Sequence, residues 1–510
     1  MIDRDLVVAD IAQEVVARLL AHAGTTLATG SRTTPASAAT GGCTARAAVP
    51  ATGGRSAVAP SASSRTAIGD GVFATVDEAV QAAASAQSRV AEMRLEDRGR
   101  MIAIIRRLCE EFAEDLGRME LAETRIGRLD HKIAKLRAMR YVLGVEVMRS
   151  DARSDRSGLC LIERAPWGVI GMVLPATHSV PTMVSNAINI LAAGNTAVFS
   201  PHPAGARVAA YALAMFNREI QREVGVANVI TTVAEPSIQS AEEIFRHPDV
   251  ALLCVTGGPA VVKAAAQSGK RVIAGGPGNP PVVVDDTADL DLAARSIITG
   301  AAFDNNLLCI GEKEVFVLES VADPFIAALQ RAGAVQLDAR AIARLTKAAF
   351  TFDGPGAGCG RAHVQRDLLG QDASVLAAAA GTRVPPGTEL LFGETEEAHP
   401  FVQEEQMMPF LPVVRTTCIG TAIKAALAAE HGYRHTAIIH TRNVEHATRM
   451  ARALNTTLFV QNAASTAALG IDGPGYFSHT IATPTGEGVT TPLTFTRERQ
   501  FTIGGALRIV

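Results

Sequence analysis

The chain has 510 residues, 48 of them Lys or Arg against 51 Asp or Glu, for a net formal charge of −3. That length exceeds one hydrophobic core and implies two or three domains. The near-balance of charge argues against nucleic acid or an anionic membrane as the main partner, and no apolar run is long enough to span a bilayer, so a soluble protein is expected.

At the N-terminus, Val8, Ile11, Val15 and Leu19 recur at helical spacing, with Asp10, Gln13, Glu14 and Arg18 largely elsewhere, so residues 1–22 read as one short amphipathic helix. Acidic and basic residues are interleaved there, unlike a secretory signal. Residues 23–68 are rich in Gly, Ala, Ser, Thr and Pro and read as a flexible linker. The tethered helix has two readings: a docking peptide for a partner, or a helix folding back on its own domain. The tether favours docking, because a locally packed helix needs none.

From Val72 the pattern is helical over Val76 to Val90 and Met93 to Leu121, followed by a polar segment at 149–157. Gly168 to Pro175 reads as a buried strand, Thr182 to Ala193 as a helix, Thr196 to Pro201 as a strand and Gly205 to Glu223 as a helix. Val229 to Val233, Ser237 to Arg246 and Val250 to Val255 continue the alternation, which implies parallel strands in a doubly wound α/β sheet. The last strand runs into Thr256-Gly257-Gly258-Pro259 and a helix from about Ala260, a setting that suits a dinucleotide although GxGxxG is absent. A second α/β unit spans Val282 to Val284, a helix at 290–301, a strand at Glu314 to Leu318, helices across 322–350, a glycine-rich loop at Gly354 to Gly360, a helix near 373–380, and strands at 389–393, 410–415, 436–440 and 457–461, with a helix at 420–430.

Seven cysteines (Cys43, Cys109, Cys160, Cys254, Cys309, Cys359 and Cys418) are scattered without CxxC pairs or Cys/His metal spacing. This pattern predicts no metal site, and free thiols in a reducing cytoplasm. Cys309 follows a polar Asp304-Asn305-Asn306 turn. As a thiolate it could attack an electrophilic carbonyl; as a buried thiol it would be inert, the better reading for Cys109 and Cys254. Upstream, Ile273-Ala274-Gly275-Gly276-Pro277-Gly278-Asn279-Pro280-Pro281 carries no acid.

Several stretches carry a family resemblance: Ala165 to Gly171, Leu191 to Asn195, Phe199 to Pro203, Val255 to Gly258, Gly278 to Pro281, Phe303 to Cys309, His399 to Gln403 and Pro484 to Gly488. In that order they resemble the aldehyde dehydrogenase superfamily, specifically the coenzyme A-acylating branch of bacterial microcompartments for propanediol, ethanolamine and related substrates. The leader and linker resemble that group's encapsulation peptides, which implies a cytoplasmic protein in a microcompartment lumen, with shell proteins as partners of the N-terminal helix.

The resemblance implies that Cys309 attacks a short-chain aldehyde, that hydride passes to NAD, and that the thioester left on Cys309 is taken by coenzyme A as co-substrate. Hydrolytic relatives place a glutamate in the Gly-Gly segment to activate water; positions 272–284 have none here, which favours acyl transfer. Cofactor contacts are implied for Thr177, Ser200, Pro201, His202, Thr256, Gly257, Gly258 and Gly276, and for Glu405 on the nicotinamide ribose, with Glu404 as its neighbour. Where the branch has Pro-Ser-Thr-Asn-Pro this chain reads Pro175-Ala176-Thr177-His178-Ser179, so His178 takes the place of the oxyanion-donating asparagine. Either the oxyanion site is altered, or the enzyme is tuned to another substrate or impaired.

The implied architecture is aldehyde dehydrogenase-like: a doubly wound NAD-binding domain at 69–149 and 166–274, an α/β catalytic domain at 275–480, and a small oligomerisation element at 150–165 and 481–510, giving a homodimer or homotetramer. Two rivals stand beside the acylating reading: a hydrolytic aldehyde dehydrogenase making a carboxylic acid, and an encapsulated cargo protein without catalysis.

Overall fold

Apolar strands alternate with helices in the computed structural model, which describes residues 69–353 and 362–507. The expected N-terminal helix, the linker and the Gly354 to Gly360 loop lie outside the described residues. Six strands, β1 (Val72–Phe73), β2 (Val169–Leu174), β3 (Thr196–Pro201), β4 (Ile230–Val233), β5 (Val250–Thr256) and β6 (Arg271–Gly275), form one sheet. Its order is β1-β4-β3-β2-β5-β6, with every pairing parallel. β2 and β3 are apolar runs buried on both faces, as parallel strands covered by helices must be. The helix Val76–Glu92 covers one face through Val76, Ala79, Val80 and Ala83, packed with Val198, Leu253 and Val255. Its start is set by a capping box in which Thr75 accepts from the Glu78 N–H and Glu78 accepts from the Thr75 N–H.

Seven more strands, β7 (Pro281–Val284), β8 (Glu314–Leu318), β9 (Val335–Gln336), β10 (Leu391–Glu394), β11 (Phe410–Thr416), β12 (Thr436–His440) and β13 (Leu458–Gln461), make a second parallel sheet in the order β9-β10-β11-β8-β7-β12-β13. Period-two alternation sends Val282, Val284, Val315 and Val317 into one core and Val283 and Phe316 into the other.

Several elements differ from expectation. The stretch 93–121 is two helices, Leu95–Glu111 and Ala113–Thr124, broken at Phe112 (φ −104°, ψ 18°). Helices Leu129–Arg137 and Val444–Leu454 and the strand β6 were not expected. The first buries Lys132 and Lys135 beside Leu136, so its inward face carries no apolar period. The polar segment 149–157 contains the strand Asp151–Asp155, which joins Gly158–Pro166 and Thr496–Gly504 in a three-stranded antiparallel sheet. Within 481–510, Ile481–Ala482 does not join that sheet; it pairs with Gly488–Val489 and lies beside Gly275.

Candidate functional site

Three successive residues shortly before Cys309, Asp304 (φ 50°), Asn305 (φ 56°) and Asn306 (φ 65°), lie in the left-handed region. Asp and Asn tolerate that region best among residues with a side chain, which explains the Asp-Asn-Asn run physically. The turn is tied down at each residue. Asp304 Oδ1 accepts from the Arg128 N–H at 2.8 Å, Asp304 Oδ2 from Lys135 Nζ at 2.5 Å, and the Asp304 N–H donates to His131 Nδ1 at 2.8 Å. Asn305 Nδ2 donates to Gly370 O and Asp372 Oδ1, and Asn306 Nδ2 to Ala301 O and Glu312 O. Strain of this kind persists where the surroundings over-determine the backbone.

Cys309 follows, partly exposed, in a turn between the helix Leu290–Ala302 and β8. Burial pushes its thiol up to about 12, the Glu405 carboxylate adding to the rise; Lys313 and the N–H groups of Cys309 and Ile310 act in the opposite sense. Glu405 is itself pushed up to about 7 by burial, against the lowering effects of Lys313 and the Gly278 N–H. A Cβ on Gly278 would lie 2.5 Å from Cys309 O and 2.9 Å from His435 Cγ, so this glycine is required for the close approach of the nucleophile turn and His435. Asn279 Nδ2 donates to Val402 O and Ala429 O, both at 2.9 Å, and thereby ties this segment to the stretches carrying Glu405 and His435. Burial drives His435 down to about 4, so its ring is neutral; Nδ1 meets Thr436 Oγ1 at 2.8 Å and Nε2 has no partner among the described residues.

His178 precedes the helix Ser179–Ala192 and is buried. An ammonium can only donate, so the 3.0 Å contact from Lys135 Nζ makes His178 Nδ1 an acceptor and puts the ring proton on Nε2, which donates to Leu307 O at 3.2 Å. Burial and the nearby Lys135 hold this imidazole well below its ordinary range, so it is neutral near pH 7. The structure therefore brings His178 to the nucleophile turn with both ring nitrogens engaged. Its Nε2 proton points at the Leu307 carbonyl, two residues before Cys309.

At the point where strand order reverses, between β2 and β5, a cleft of about 660 Å3 opens at the carboxyl ends of β2, β3 and β5, the usual ligand position in such sheets. Ser200, Pro201, His202, Thr256, Gly257 and Gly258 all line it, so six of the residues expected on the cofactor come together. Thr177, Gly276 and Glu405 are not on its walls. A Cβ on Gly276 would meet Pro484 Cγ at 2.7 Å, so that glycine serves close packing. The cleft has room for a dinucleotide phosphate at Gly258, where an added Cβ would meet nothing within 4 Å; the helix Pro259–Ala266 begins there, and since Pro259 has no N–H and the Val261 and Val262 N–H groups donate to Gly258 O, the Ala260 N–H is the donor left at its start.

Sequence reasoning missed Lys135, Lys313 and His435. A signal existed for Lys313: Glu312-Lys313-Glu314 puts three charges directly before an apolar strand, and all three are fully buried. It also missed the cleft wall supplied by the helix Ile238–Arg246 through Ile238, Ala241 and Phe245. Among the described residues Cys109, Cys160, Cys254, Cys309 and Cys418 are free thiols, and burial pushes Cys109 and Cys254 far up, as expected for inert cysteines. No helix among them is long and apolar enough to cross a membrane.

Residues 58–340 match the model of the aldehyde dehydrogenase family. The chain is 45% identical over 443 residues to the acetaldehyde dehydrogenase (acetylating) of Escherichia coli K12, covering 86% of this chain and 94% of the relative. The crystal structure of Rhodopseudomonas palustris propionaldehyde dehydrogenase with bound coenzyme A and an acylated cysteine aligns with a TM-score of 0.83 at 40% identity, covering 87% of this chain and all of that one. A propionaldehyde dehydrogenase from the fucose utilisation microcompartment of Clostridium phytofermentans aligns with a TM-score of 0.83 at 39% identity, covering 86% of this chain and 100% of that one.

Proposed function

Since the chain belongs to the aldehyde dehydrogenase family, we propose that it oxidises a short-chain aldehyde with NAD as hydride acceptor, Cys309 serving as the nucleophile that carries the acyl group and hands it to coenzyme A. The observation that carries this reading is the placement of Cys309 on a turn fixed by Asp304, Asn305 and Asn306, within the field of Glu405 and Lys313. The Cys309 thiolate adds to the aldehyde carbon, forming a carbon–sulfur bond and an oxyanion. The Cys309 N–H faces that sulfur and serves as an oxyanion donor; His178 joins it if Nε2–H turns from Leu307 O to the new oxygen. NAD supplies a hydride acceptor when bound. Ser200, Thr256, Gly257 and Gly258 would hold the nucleotide in the cleft, and Glu405, which lies off its walls and is ionised above about pH 7, would accept from the ribose hydroxyls.

The acyl group then stands on Cys309 as a thioester. The segment Arg271 to Val284 holds no acid to aim a water at it. The coenzyme A thiol attacks the acyl carbon, and the Cys309 sulfur leaves and takes up the proton. A hydrolytic reading has one observation behind it: Glu405, within the field of Cys309 and pushed up to about 7, could serve water as a base. One assay separates the two. NADH formation from acetaldehyde or propanal should depend on coenzyme A and on Cys309 and yield the acyl thioester. Sustained turnover to free acid without coenzyme A would overturn the acylating reading. The enzyme works inside a microcompartment, with residues 1–22 as the shell-docking segment. It assembles as a dimer or tetramer through the antiparallel sheet, whose outer strand Thr496–Gly504 exposes Phe501.

A further inference from the structure

We infer that Lys313 is the positioning residue of the nucleophile: its buried ammonium holds the carbonyls of the turn before Cys309 and sets a positive field at the thiol. This rests on the reading of Cys309 as nucleophile. Lys313 is fully buried, and its three donors go to Asn306 O at 2.8 Å, Asn306 Oδ1 at 2.5 Å and Leu308 O at 3.1 Å. All three acceptors lie on the turn that ends at Cys309. No carboxylate approaches Lys313 within ion-pair distance among the described residues, so neutral oxygens solvate the charge and its field is not cancelled at contact. The Lys313 N–H donates to Pro280 O at 3.1 Å, which ties the start of β8 to the Gly278 segment on the other side of Cys309.

The charged and titratable groups around this cation are Cys309, Glu405, Glu312, Glu314 and His435. Glu314 is buried with both carboxyl oxygens unpartnered, and burial pushes it well above the usual carboxylate range. Glu312 accepts from the Ser465 N–H and hydroxyl, both at 2.8 Å, and faces away toward that loop. His435 is neutral. Glu405 opposes Lys313 at the thiol, and Lys313 is the side chain that draws the thiol toward its ionised form. A turn held only by hydrogen bonds could have used a neutral donor at this position; a cation adds the electrostatic term.

The test follows the pH dependence of Cys309 alkylation by iodoacetamide, in which the thiolate sulfur displaces iodide. The modified Cys309 peptide is quantified separately from the other thiols. Across about pH 6.5 to 8 the thiolate is a small fraction that grows tenfold per unit of pH, and Lys313→Met should slow alkylation there roughly tenfold, as a shift of about one unit in the thiol's pKa would. Lys313→Arg should restore the rate at least in part. A folded Lys313→Met protein alkylated at the parent rate overturns the inference. Should that variant fail to fold, the parent enzyme decides. A buried cation is barely screened, so the rate at about pH 7.5 should hold steady from about 0.05 to 1 M KCl; a rate that falls with salt refutes Lys313 as the source. The readout needs neither aldehyde nor coenzyme A. A protein that makes no acyl-coenzyme A yet shows the shift loses the proposed function and keeps this role for Lys313; the converse result removes this role alone.

Discussion

Asp304→Asn probes the support of the nucleophile turn most directly. Asparagine tolerates the left-handed backbone at this position (φ 50°) and keeps an oxygen for the Arg128 N–H, so the change isolates the charge. Lys135 Nζ and Asp304 Oδ2 are 2.5 Å apart, with side chains 1% and 0% exposed. At that separation the gross attraction is about 7 kcal/mol with an effective dielectric of about 20, most of it offset by desolvation of the two ions. Removing one partner leaves the Lys135 ammonium buried with His178 and an amide oxygen at contact and Glu120 farther off, at a cost of about 3–5 kcal/mol. Urea denaturation followed by circular dichroism measures the loss, and the double variant Lys135→Met with Asp304→Asn should lose less than Asp304→Asn alone. If the double variant lost the sum of the two single changes, the ion-pair reading would be refuted. The acid limb gives a second check. Burial raises the Asp304 carboxyl, but Lys135, Lys132 and the Arg128 N–H more than reverse this and hold it below 3.8. Its stabilisation is therefore present above about pH 4 and lost as pH falls through the depressed native value, and Asp304→Asn should flatten that limb.

Glu405 is pushed up to about 7, so on the proposed reading it presents the ribose with a charged carboxylate, the stronger acceptor, only above that pH. NAD affinity measured by calorimetry should weaken as pH falls from about 8 to 6 in the parent chain, and Glu405→Gln should be weak and flat across the range; parallel profiles would remove Glu405 from cofactor binding. Deleting residues 1–22 should abolish co-purification with microcompartment shells while leaving acyl-coenzyme A formation intact, and equal enclosure of the truncated chain would defeat the docking reading.

The parallel sheets were legible because doubly buried strands such as Val169–Leu174 and Thr196–Pro201 are apolar runs separated by helical periods. The cleft at the carboxyl edge of the first sheet was legible through Thr256-Gly257-Gly258, whose turn joins a strand to a helix. Short or polar elements were not. β6 ends in glycine after five residues, and the helix Leu129–Arg137 turns lysines inward, where no hydrophobic period marks it.

By itself the sequence determined the place of Cys309 after Asp304-Asn305-Asn306 and the acid-free stretch Gly275 to Pro281, since both are local facts of residue identity. The tertiary structure alone decided how Cys309 is held. Lys135 reaches Asp304 and His178 across 169 and 43 positions of chain, and Gly278 brings His435 against the Cys309 turn. Ionisation and tautomer depend on burial and on neighbours supplied by other elements, so the state of His178 follows from the Lys135 proton pointed at its Nδ1, which no local pattern of residues encodes.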